Sequence, residues 1–217
     1  NGDAFYKPRA AARLQSVGGY AYFCIGVGPD DPARLRWRAF TRKELDEMER
    51  NCPRNPIILC ETQCAVRSAV YNAPRAWRGR ATDFGEDNTT AESWMTKHKA
   101  GHLAGAGMIK TIEALTFANG CRFSASRLDT KQQLISDLGS RLADEENRHG
   151  VEKKLGAALC MWRVGHWLRT GRYVDTIVEQ DDDHHDELYI HRESRDLWVK
   201  QALAQAASGA SALAKRL

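Results

Sequence analysis

Residues 33–40, with the sequence ARLRWRAF, alternate arginine with apolar or small residues. In an extended strand, successive side chains point to opposite faces. We therefore expect Arg34, Arg36 and Arg38 on one face and the apolar residues on the other. Guanidinium groups spaced about 7 Å apart along a strand roughly match neighbouring phosphates of a nucleic acid. The segment therefore predicts a strand with a basic face turned to solvent.

A second strand is predicted immediately upstream. Residues 17–28 (VGGYAYFCIGVG) are rich in aromatic and β-branched residues and are bracketed by glycines, a composition typical of strands. Residues 28–32 (GPDDP) combine glycine with two prolines and predict a turn. Tyr20 and Tyr22 would share one strand face. Together these segments predict a β-hairpin with a longer loop.

Helices are predicted after the hairpin. Residues 41–44 match a capping box, so we expect a helix over about 42–50. The apolar run PIILC at 56–60 predicts a short buried strand, and a helix is expected over 62–71. Residues 72–90 have no helical or strand period, which predicts a loop or linker between two parts of the chain.

The rest of the chain is predicted to be mainly helical. A second capping box opens a long helix over 89–118, and further helices are expected over about 130–149 and 151–170. A small hairpin at about 172–192 precedes a final helix from about 195. The fold class is α+β, with a basic N-terminal β-hairpin unit packed on a mostly helical C-terminal body. The two parts are residues 1–80 and 89–217, or else one continuous domain.

Charge is distributed unevenly along the chain. The net charge is +4, yet residues 1–80 hold 14 Lys and Arg against 8 Asp and Glu. An excess of this kind indicates a polyanionic partner, although an ordinary basic surface is the alternative. The apolar stretches are too short for a membrane span. Six cysteines without a disulfide-like spacing favour a reducing, cytoplasmic location.

The basic and aromatic residues of the N-terminal third form a predicted nucleic-acid-binding site. Arginine donates paired hydrogen bonds to phosphate, and aromatic rings stack on unpaired bases. This mixture favours single-stranded RNA or DNA. The predicted phosphate contacts are Arg34, Arg36, Arg38, Arg42, Lys43, Arg75, Arg78 and Arg80, and the predicted base contacts are Tyr20, Tyr22 and Trp77. The alternative is that the strand arginines pair with acidic residues such as Glu44, Asp46 or Glu47.

A metal site is a weaker hypothesis. His98 and His102 are four residues apart in a predicted helix and would share a face, where two imidazoles can chelate one metal ion. Cys60 and Cys64 could complete a Cys2His2 set. Their spacing matches no short zinc motif, so ordinary packing is favoured. We expect no cofactor, with structural zinc as the alternative.

These patterns together predict a nucleic-acid-binding protein, a non-catalytic subunit of a larger nucleoprotein or DNA/RNA-processing assembly. One alternative is a structural, coat-type protein that assembles with itself. The other is a metal-dependent hydrolase, a nuclease that uses His98 and His102. Nucleic acid and other protein subunits are the expected partners, and a membrane is not. Because the sequence begins with Asn1 rather than methionine, we expect further residues upstream.

Overall fold

The structure is a computed structural model that describes residues 1–8, 16–26, 28 and 31–181. Three strands open the chain and two helices follow them. A strand, two helices and another strand come next, and two helices and a last strand complete the described part. The elements are β1 (Gly2–Lys7), β2 (Val17–Cys24), β3 (Ala33–Ala39), α1 (Arg42–Asn51), α2 (Ile57–Asn72), β4 (Ala81–Glu86), α3 (Thr89–Thr96), α4 (Leu103–Ala118), β5 (Arg122–Arg127), α5 (Leu134–Ser140), a 3-10 turn (Arg141–Ala143), α6 (Arg148–Thr170) and β6 (Thr176–Gln180).

The strands form two sheets. In the larger sheet the order is β1-β2-β3-β6, and β1, β2 and β3 form an antiparallel meander. β6 pairs with β3 in parallel. β4 and β5 form a separate parallel pair. The α+β fold class and the hairpin formed by β2 and β3 are therefore confirmed.

β4 lies beside β1, at the junction of the two sheets. A Cβ atom placed on Gly85 would meet the Cβ of Asn1 at 3.1 Å, so these backbones approach closely. Two residues further along each segment, the carboxylates of Asp3 and Asp87 lie within 4.8 Å of each other. The start of β1 therefore lies beside the end of β4. This arrangement brings acidic residues of two separate strands together.

Both faces of the larger sheet are covered. On one face, Tyr20 and Tyr22 join a core with Leu59 of α2 and Phe84 of β4. On the opposite face, residues such as Leu35 pack with α5 and α6 in a second core. Alternation along β2 and β3 explains the division, since neighbouring residues point to opposite faces. As a result, each face of β3 is covered by the protein itself.

Several predicted elements are wrong in type or extent. Residues 56–60 begin helix α2 instead of forming a strand, because a short apolar run fits a buried helix equally well. Residues 72–90 contain strand β4 and the start of α3, so they are not a featureless linker. The helix predicted over about 130–149 is reduced to α5 and a 3-10 turn before α6 begins.

The predicted helix over 89–118 is interrupted. It is divided into α3 and α4, and His98 between them adopts a left-handed conformation with φ of 52°. β6 accounts for part of the hairpin predicted at 172–192, but it pairs with β3. The second strand of that hairpin and the helix predicted from 195 lie outside the described residues.

A buried ionic cluster joins β3 to both helices that cover it. The Glu44 carboxylate of α1 is fully buried and accepts from the guanidinium groups of Arg38 in β3 and Arg67 in α2. Its second oxygen accepts from the Thr41 backbone N–H at 2.8 Å, as part of the capping box of α1. Glu44 thus connects three elements through one side chain.

Replacing Glu44 tests this cluster. We expect Glu44→Gln to lower the free energy of unfolding by about 3 kcal/mol, because two buried guanidinium groups lose a shared carboxylate. Urea unfolding monitored by circular dichroism measures the change. Glu145→Gln is the matched control, because the Glu145 side chain is 86% exposed and its ion pair contributes less than about 1 kcal/mol. Equal stability of both variants would contradict the role given to Glu44.

Candidate metal centre

The arginine row predicted to face solvent is paired within the chain. Arg34, Arg36 and Arg38 do share one face of β3, as predicted. Arg34 pairs with Glu179 of β6, and Arg36 donates to Asp181 at 2.8 Å. Arg38 pairs with Glu44, and the Arg36 and Arg38 side chains are only 14% and 9% exposed. The alternative that the strand arginines pair with acidic residues of the same chain therefore applies to this row. Groups from α1, α2 and β6 meet the face on which the arginines lie.

The aromatic residues predicted to stack on bases lie in the core. Tyr20 and Tyr22 are 0% and 1% exposed, and Trp77 is 8% exposed. The Tyr20 hydroxyl donates to Asp181 at 2.9 Å. Burial raises the pKa of both tyrosines well above the ordinary value. These rings pack inside the protein and present no face to a base.

The other predicted phosphate contacts lie nearer to solvent. Arg42 pairs with Asp46 one turn along α1, and Lys43 is exposed. Arg75, Arg78 and Arg80 are exposed on the loop between α2 and β4. Together with Arg34 they line one cleft of about 440 Å³. Arg75, Arg78 and Arg80 are thus exposed members of the predicted set that lie together, in a cleft that Arg34 of the paired row also borders.

The histidine and cysteine residues do not assemble a metal site. His102 caps α4, and its Nδ1 accepts from the Ala104 N–H at 3.3 Å. His98 precedes α4, and its Nδ1 lies 3.2 Å from a Glu113 oxygen. Because the helix is interrupted between His98 and His102, the two imidazoles do not share a face of one helix as predicted. Cys60 and Cys64 are buried in α2, and burial raises the pKa of both thiols. The proposed Cys2His2 set is therefore wrong.

Three carboxylates from three elements meet at the junction of β1 and β4. Asp3 belongs to β1, Glu61 to α2, and Asp87 directly follows β4. Each offers one oxygen, and these oxygens all lie within 4.8 Å of one another. Asp3 and Glu61 are buried and Asp87 is half-buried. Throughout residues 1–8, 16–26, 28 and 31–181, no other set of three or more His, Cys, Asp or Glu side chains is arranged to hold a metal ion.

Glu86 supplies a fourth carboxylate beside these three. Its side chain is fully buried, and its carboxyl group lies beside that of Glu61. One oxygen, Oε1, accepts from the Asn88 N–H at 3.1 Å. The other, Oε2, has no hydrogen-bond partner among the described residues. A buried carboxylate oxygen without a donor is costly, which indicates that this position is suited to a cation.

The surrounding backbone holds each carboxylate in place. Glu61 Oε2 accepts from the Ala4 N–H of β1 at 2.9 Å. Ser140 of α5 donates its hydroxyl to Asp3 Oδ2 at 2.8 Å. The Thr130 hydroxyl donates to Asp87 at 2.9 Å. The cluster is therefore fixed by groups from several directions, as a preorganised ligand set requires.

Gln133 connects the two strands that carry the cluster. Its amide orientation is assigned from its neighbours: the nitrogen donates to the Gly2 carbonyl, and the oxygen accepts from the Asp87 N–H at 2.8 Å. The same oxygen lies 3.3 Å from the Glu86 nitrogen. Gln133 is completely buried. It thus sets the spacing between Asp3 on one strand and Glu86 and Asp87 on the other.

Burial and mutual repulsion make these carboxyl groups weak acids. Burial, the largest cause, raises the pKa of Asp3 to about 7 and that of Glu86 to about 8. The pKa of Glu61 is also raised well above its usual range, again mainly by burial, with Glu86 and Asp3 adding repulsion. Arg141 partly offsets the shift at Asp3. A bound divalent cation would favour the ionised form of all these groups.

The sequence analysis missed this cluster, although a signal was present. Asp3 interrupts the start of a strand, and Glu61 lies within the apolar run IILCETQCAV. Glu86 and Asp87 directly follow the segment ATDFG. Acidic residues are rarely buried without a partner or a metal ion. Their convergence depends on the close approach of β1 and β4, which spacing along the chain does not show.

No protein-family model, curated protein or solved structure matches this chain. Within the described residues, no helix is both long and apolar enough to cross a membrane. Function therefore has to be argued from the geometry of the carboxylate cluster and the surfaces around it.

The pKa shifts predict an unusual pH dependence of stability. A carboxyl group whose pKa is raised in the folded state stabilises the fold most below its unfolded pKa of about 4, and this stabilisation is lost as pH rises through the folded pKa. For Asp3 and Glu86 these values are about 7 and about 8. In EDTA, we expect the melting temperature to fall between pH 5 and pH 9, and Mn²⁺ to restore it at pH 8.

A double variant isolates this effect from the other titrating groups. Asp3→Asn/Glu86→Gln should show a smaller fall in melting temperature over the same pH range and a smaller response to Mn²⁺. Thermal unfolding followed by circular dichroism measures both. Identical pH profiles of the wild type and the double variant would show that these carboxyl groups are not the cause.

Gln133 offers a separate test of how the site is held. Gln133→Met keeps the side-chain length but removes the bridge between the strands. We expect about a tenfold loss in Mn²⁺ affinity, measured by isothermal titration calorimetry, as for other groups that orient metal ligands. Gln132→Met is the control, because Gln132 is exposed and accepts only from the Asp129 N–H. Unchanged Mn²⁺ affinity of Gln133→Met would contradict the positioning role.

Proposed function

We propose that this protein is a divalent-metal-dependent hydrolase that cleaves phosphodiester bonds of nucleic acid. The observation that carries the proposal is the convergence of Asp3, Glu61 and Asp87 within 4.8 Å, beside the unpartnered buried oxygen of Glu86. Carboxylate oxygens are the ligands that Mg²⁺ and Mn²⁺ prefer. The sequence suggested, as an alternative, a hydrolase that uses His98 and His102. The ligands proposed here are carboxylates instead.

Asp3, Glu61 and Asp87 would bind the cation and fix its position relative to the substrate phosphate. A divalent cation at such a site polarises the phosphoryl oxygen and lowers the pKa of a bound water molecule. In the reaction, the water oxygen forms a bond to phosphorus and the bond from phosphorus to one sugar oxygen breaks. The leaving oxygen takes up a proton, so one water molecule is added across the bond and nothing is oxidised or reduced.

The cluster is also suited to more than one cation. Glu86 contributes a fourth carboxylate next to Glu61, and two cations separated by about 4 Å are a common arrangement in enzymes that cleave phosphodiesters. Asp87 is half-buried, so the substrate would reach the cluster from its side. The buried Asp3, Glu61 and Glu86 would hold the cations from beneath.

Nucleic acid is the favoured substrate because of the charge near the site. The first 80 residues hold 14 Lys and Arg against 8 Asp and Glu. Arg75, Arg78 and Arg80 are exposed directly before β4, the strand that leads to Glu86 and Asp87. Exposed guanidinium groups attract and orient a phosphate backbone. This surface replaces the paired arginine row of β3 as the basis for nucleic-acid binding.

A non-catalytic nucleic-acid-binding subunit is the second candidate, since the exposed arginines support binding independently of the carboxylates. Other protein subunits remain a proposed class of partner. The end of α6 supports this, because Met161, Val164, Trp167 and Leu168 are between 52% and 70% exposed. A self-assembling coat protein would use the same surface. A cytoplasmic location stays a prediction.

A cleavage assay separates these candidates. Fluorescently labelled single-stranded and double-stranded DNA and RNA are incubated with Mg²⁺ or Mn²⁺, with and without EDTA. We expect EDTA-sensitive cleavage that falls about 100-fold or more in Asp3→Asn and in Glu61→Gln, because each removes charge from the cation site. Glu145→Gln is the matched control, since it also removes one carboxylate charge but at a side chain that is 86% exposed and is not part of the cluster.

Two outcomes would contradict the proposal. The first is binding of nucleic acid without metal-dependent cleavage of any of these substrates, which would favour the second candidate. The second is cleavage that persists unchanged in Asp3→Asn and Glu61→Gln, which would place the activity elsewhere.

A further inference from the structure

The loop between α2 and β4 is rigidly held. We call residues 73–80 the arginine loop. The Trp77 N–H donates to the Asn72 carbonyl at 2.9 Å, and the Gly79 N–H donates to the Asn119 carbonyl at 3.0 Å. The Trp77 ring is buried and packs on Phe123 with ring centroids 5.8 Å apart. The loop is therefore anchored in the core and is not free to extend.

The arginine loop presents cations that the rest of the described chain does not neutralise. Arg78 and Arg80 are exposed and form no ion pair with any residue of the described ranges. Arg75 lies over the Tyr71 ring at 4.4 Å and donates to the Tyr71 carbonyl at 2.6 Å, which fixes its direction. Asp31 is the acidic side chain in the lining of this cleft. The cleft therefore carries a strong excess of positive charge.

A continuous depression leads from this cleft towards the metal centre. The cleft of the arginine loop shares Cys24, Ile25 and Ala76 with a neighbouring cleft of about 390 Å³. That second cleft is lined by Asn1 and Gly85 among others. Gly85 directly precedes Glu86, and Asn1 lies two residues before Asp3. The two clefts together thus connect the arginines with the edge of the carboxylate cluster.

The second cleft also offers an aromatic surface. Trp162 of α6 is part of its lining and is only partly buried. Its ring packs edge-on against Phe23, with centroids 4.9 Å apart, which fixes its orientation. Asp83 lies in the same lining, but its carboxylate accepts from the hydroxyls of Ser124 and Ser126. A partly exposed ring beside a cationic cleft is suited to stack on an unpaired base.

The length of β4 sets the distance between the arginines and the carboxylates. Arg80 directly precedes β4 and Asp87 directly follows it, so at about 3.3 Å per residue they are roughly 23 Å apart. This separation corresponds to about seven base pairs along a duplex axis. A short fragment bound at the carboxylates would not reach the arginine loop, whereas a longer strand would.

We propose that the arginine loop is a second binding site for the backbone of a nucleic-acid strand, which holds that strand along the two clefts with one base against Trp162. The inference rests on the proposed function, because the strand held here is the one whose phosphodiester reaches the metal centre. Binding along both clefts makes the affinity increase with the length of the strand, and it favours single-stranded substrates.

The binding test is performed in EDTA, where cleavage cannot occur. Affinity for a fluorescein-labelled 16-nucleotide single strand is measured by fluorescence anisotropy at several salt concentrations. We expect Arg78→Glu/Arg80→Glu to weaken binding at least about tenfold and to reduce the salt slope by about 1.4, since two phosphate contacts are lost. Arg50→Glu/Arg54→Glu is the matched control, because it changes the charge equally at exposed residues of α1 and the following turn.

Further variants and measurements test whether the effect is specific to the arginine loop. Arg78→Lys/Arg80→Lys should retain most of the affinity, and Trp162→Ala should weaken binding of the single strand more than binding of a duplex. Melting temperatures of all variants are compared with that of the wild type. Where cleavage is present, Arg78→Glu/Arg80→Glu should raise KM for the 16-nucleotide strand while leaving a 4-nucleotide strand unaffected.

Equal affinity of the two glutamate double variants would overturn the inference, because the effect would then be one of overall charge. Tight binding by the wild type without cleavage would leave this site supported while contradicting the proposed hydrolase. Metal-dependent cleavage by the wild type, with no loss of binding in Arg78→Glu/Arg80→Glu, would support the proposed hydrolase and contradict the second binding site.

Discussion

Four carboxylates share one small volume where β1 and β4 come together, and their mutual repulsion is the constraint that the surrounding structure has to satisfy. Asp3, Glu61 and Glu86 are buried, and Asp87, at the edge of the group, is half-buried. Ionised carboxylates in such a place are unfavourable unless a cation or several donors face them. The protein supplies a few donors, from Ser140, Thr130 and the Ala4 backbone.

Unlike the carboxylates of the cluster, the arginines of β3 are paired with groups of opposite charge. Arg36 and Arg38 are almost as buried as the carboxylates, but acidic residues of α1 and β6 compensate them. Glu44 and Asp181 come from elements on either side of the arginine row, so this face contributes to the fold and is not presented to a partner. Among the predicted phosphate contacts, Arg75, Arg78 and Arg80 are exposed together on the anchored loop before β4. Buried acidic and exposed basic groups therefore lie at opposite ends of the same strand.

The sequence was sufficient to predict the class of fold and much of the first sheet. The alternation in residues 33–40 correctly predicted β3 and its two faces, since strand periodicity is a local property. It did not predict what covers each face, because Glu44 and Asp181 reach β3 only through the tertiary fold. For the same reason, the local spacing of His98 and His102 suggested a site that the break before α4 removes.

The carboxylate cluster lay beyond sequence reasoning for a related reason. Asp3, Glu61 and Asp87 are separated by tens of residues and lie in three different segments. Only the close approach of β1 and β4, with α2 packed against β1, brings the three together. The arginine loop was recognised by its composition, but its rigidity depends on Trp77 and on a hydrogen bond to Asn119, which composition does not reveal.

The central claim is that this junction binds divalent cations. Crystals soaked in Mn²⁺ and measured at the manganese absorption edge test it most directly. The account predicts an anomalous peak within about 2.5 Å of oxygens from Asp3, Glu61 and Asp87. An anomalous map without a peak between these three side chains would contradict it.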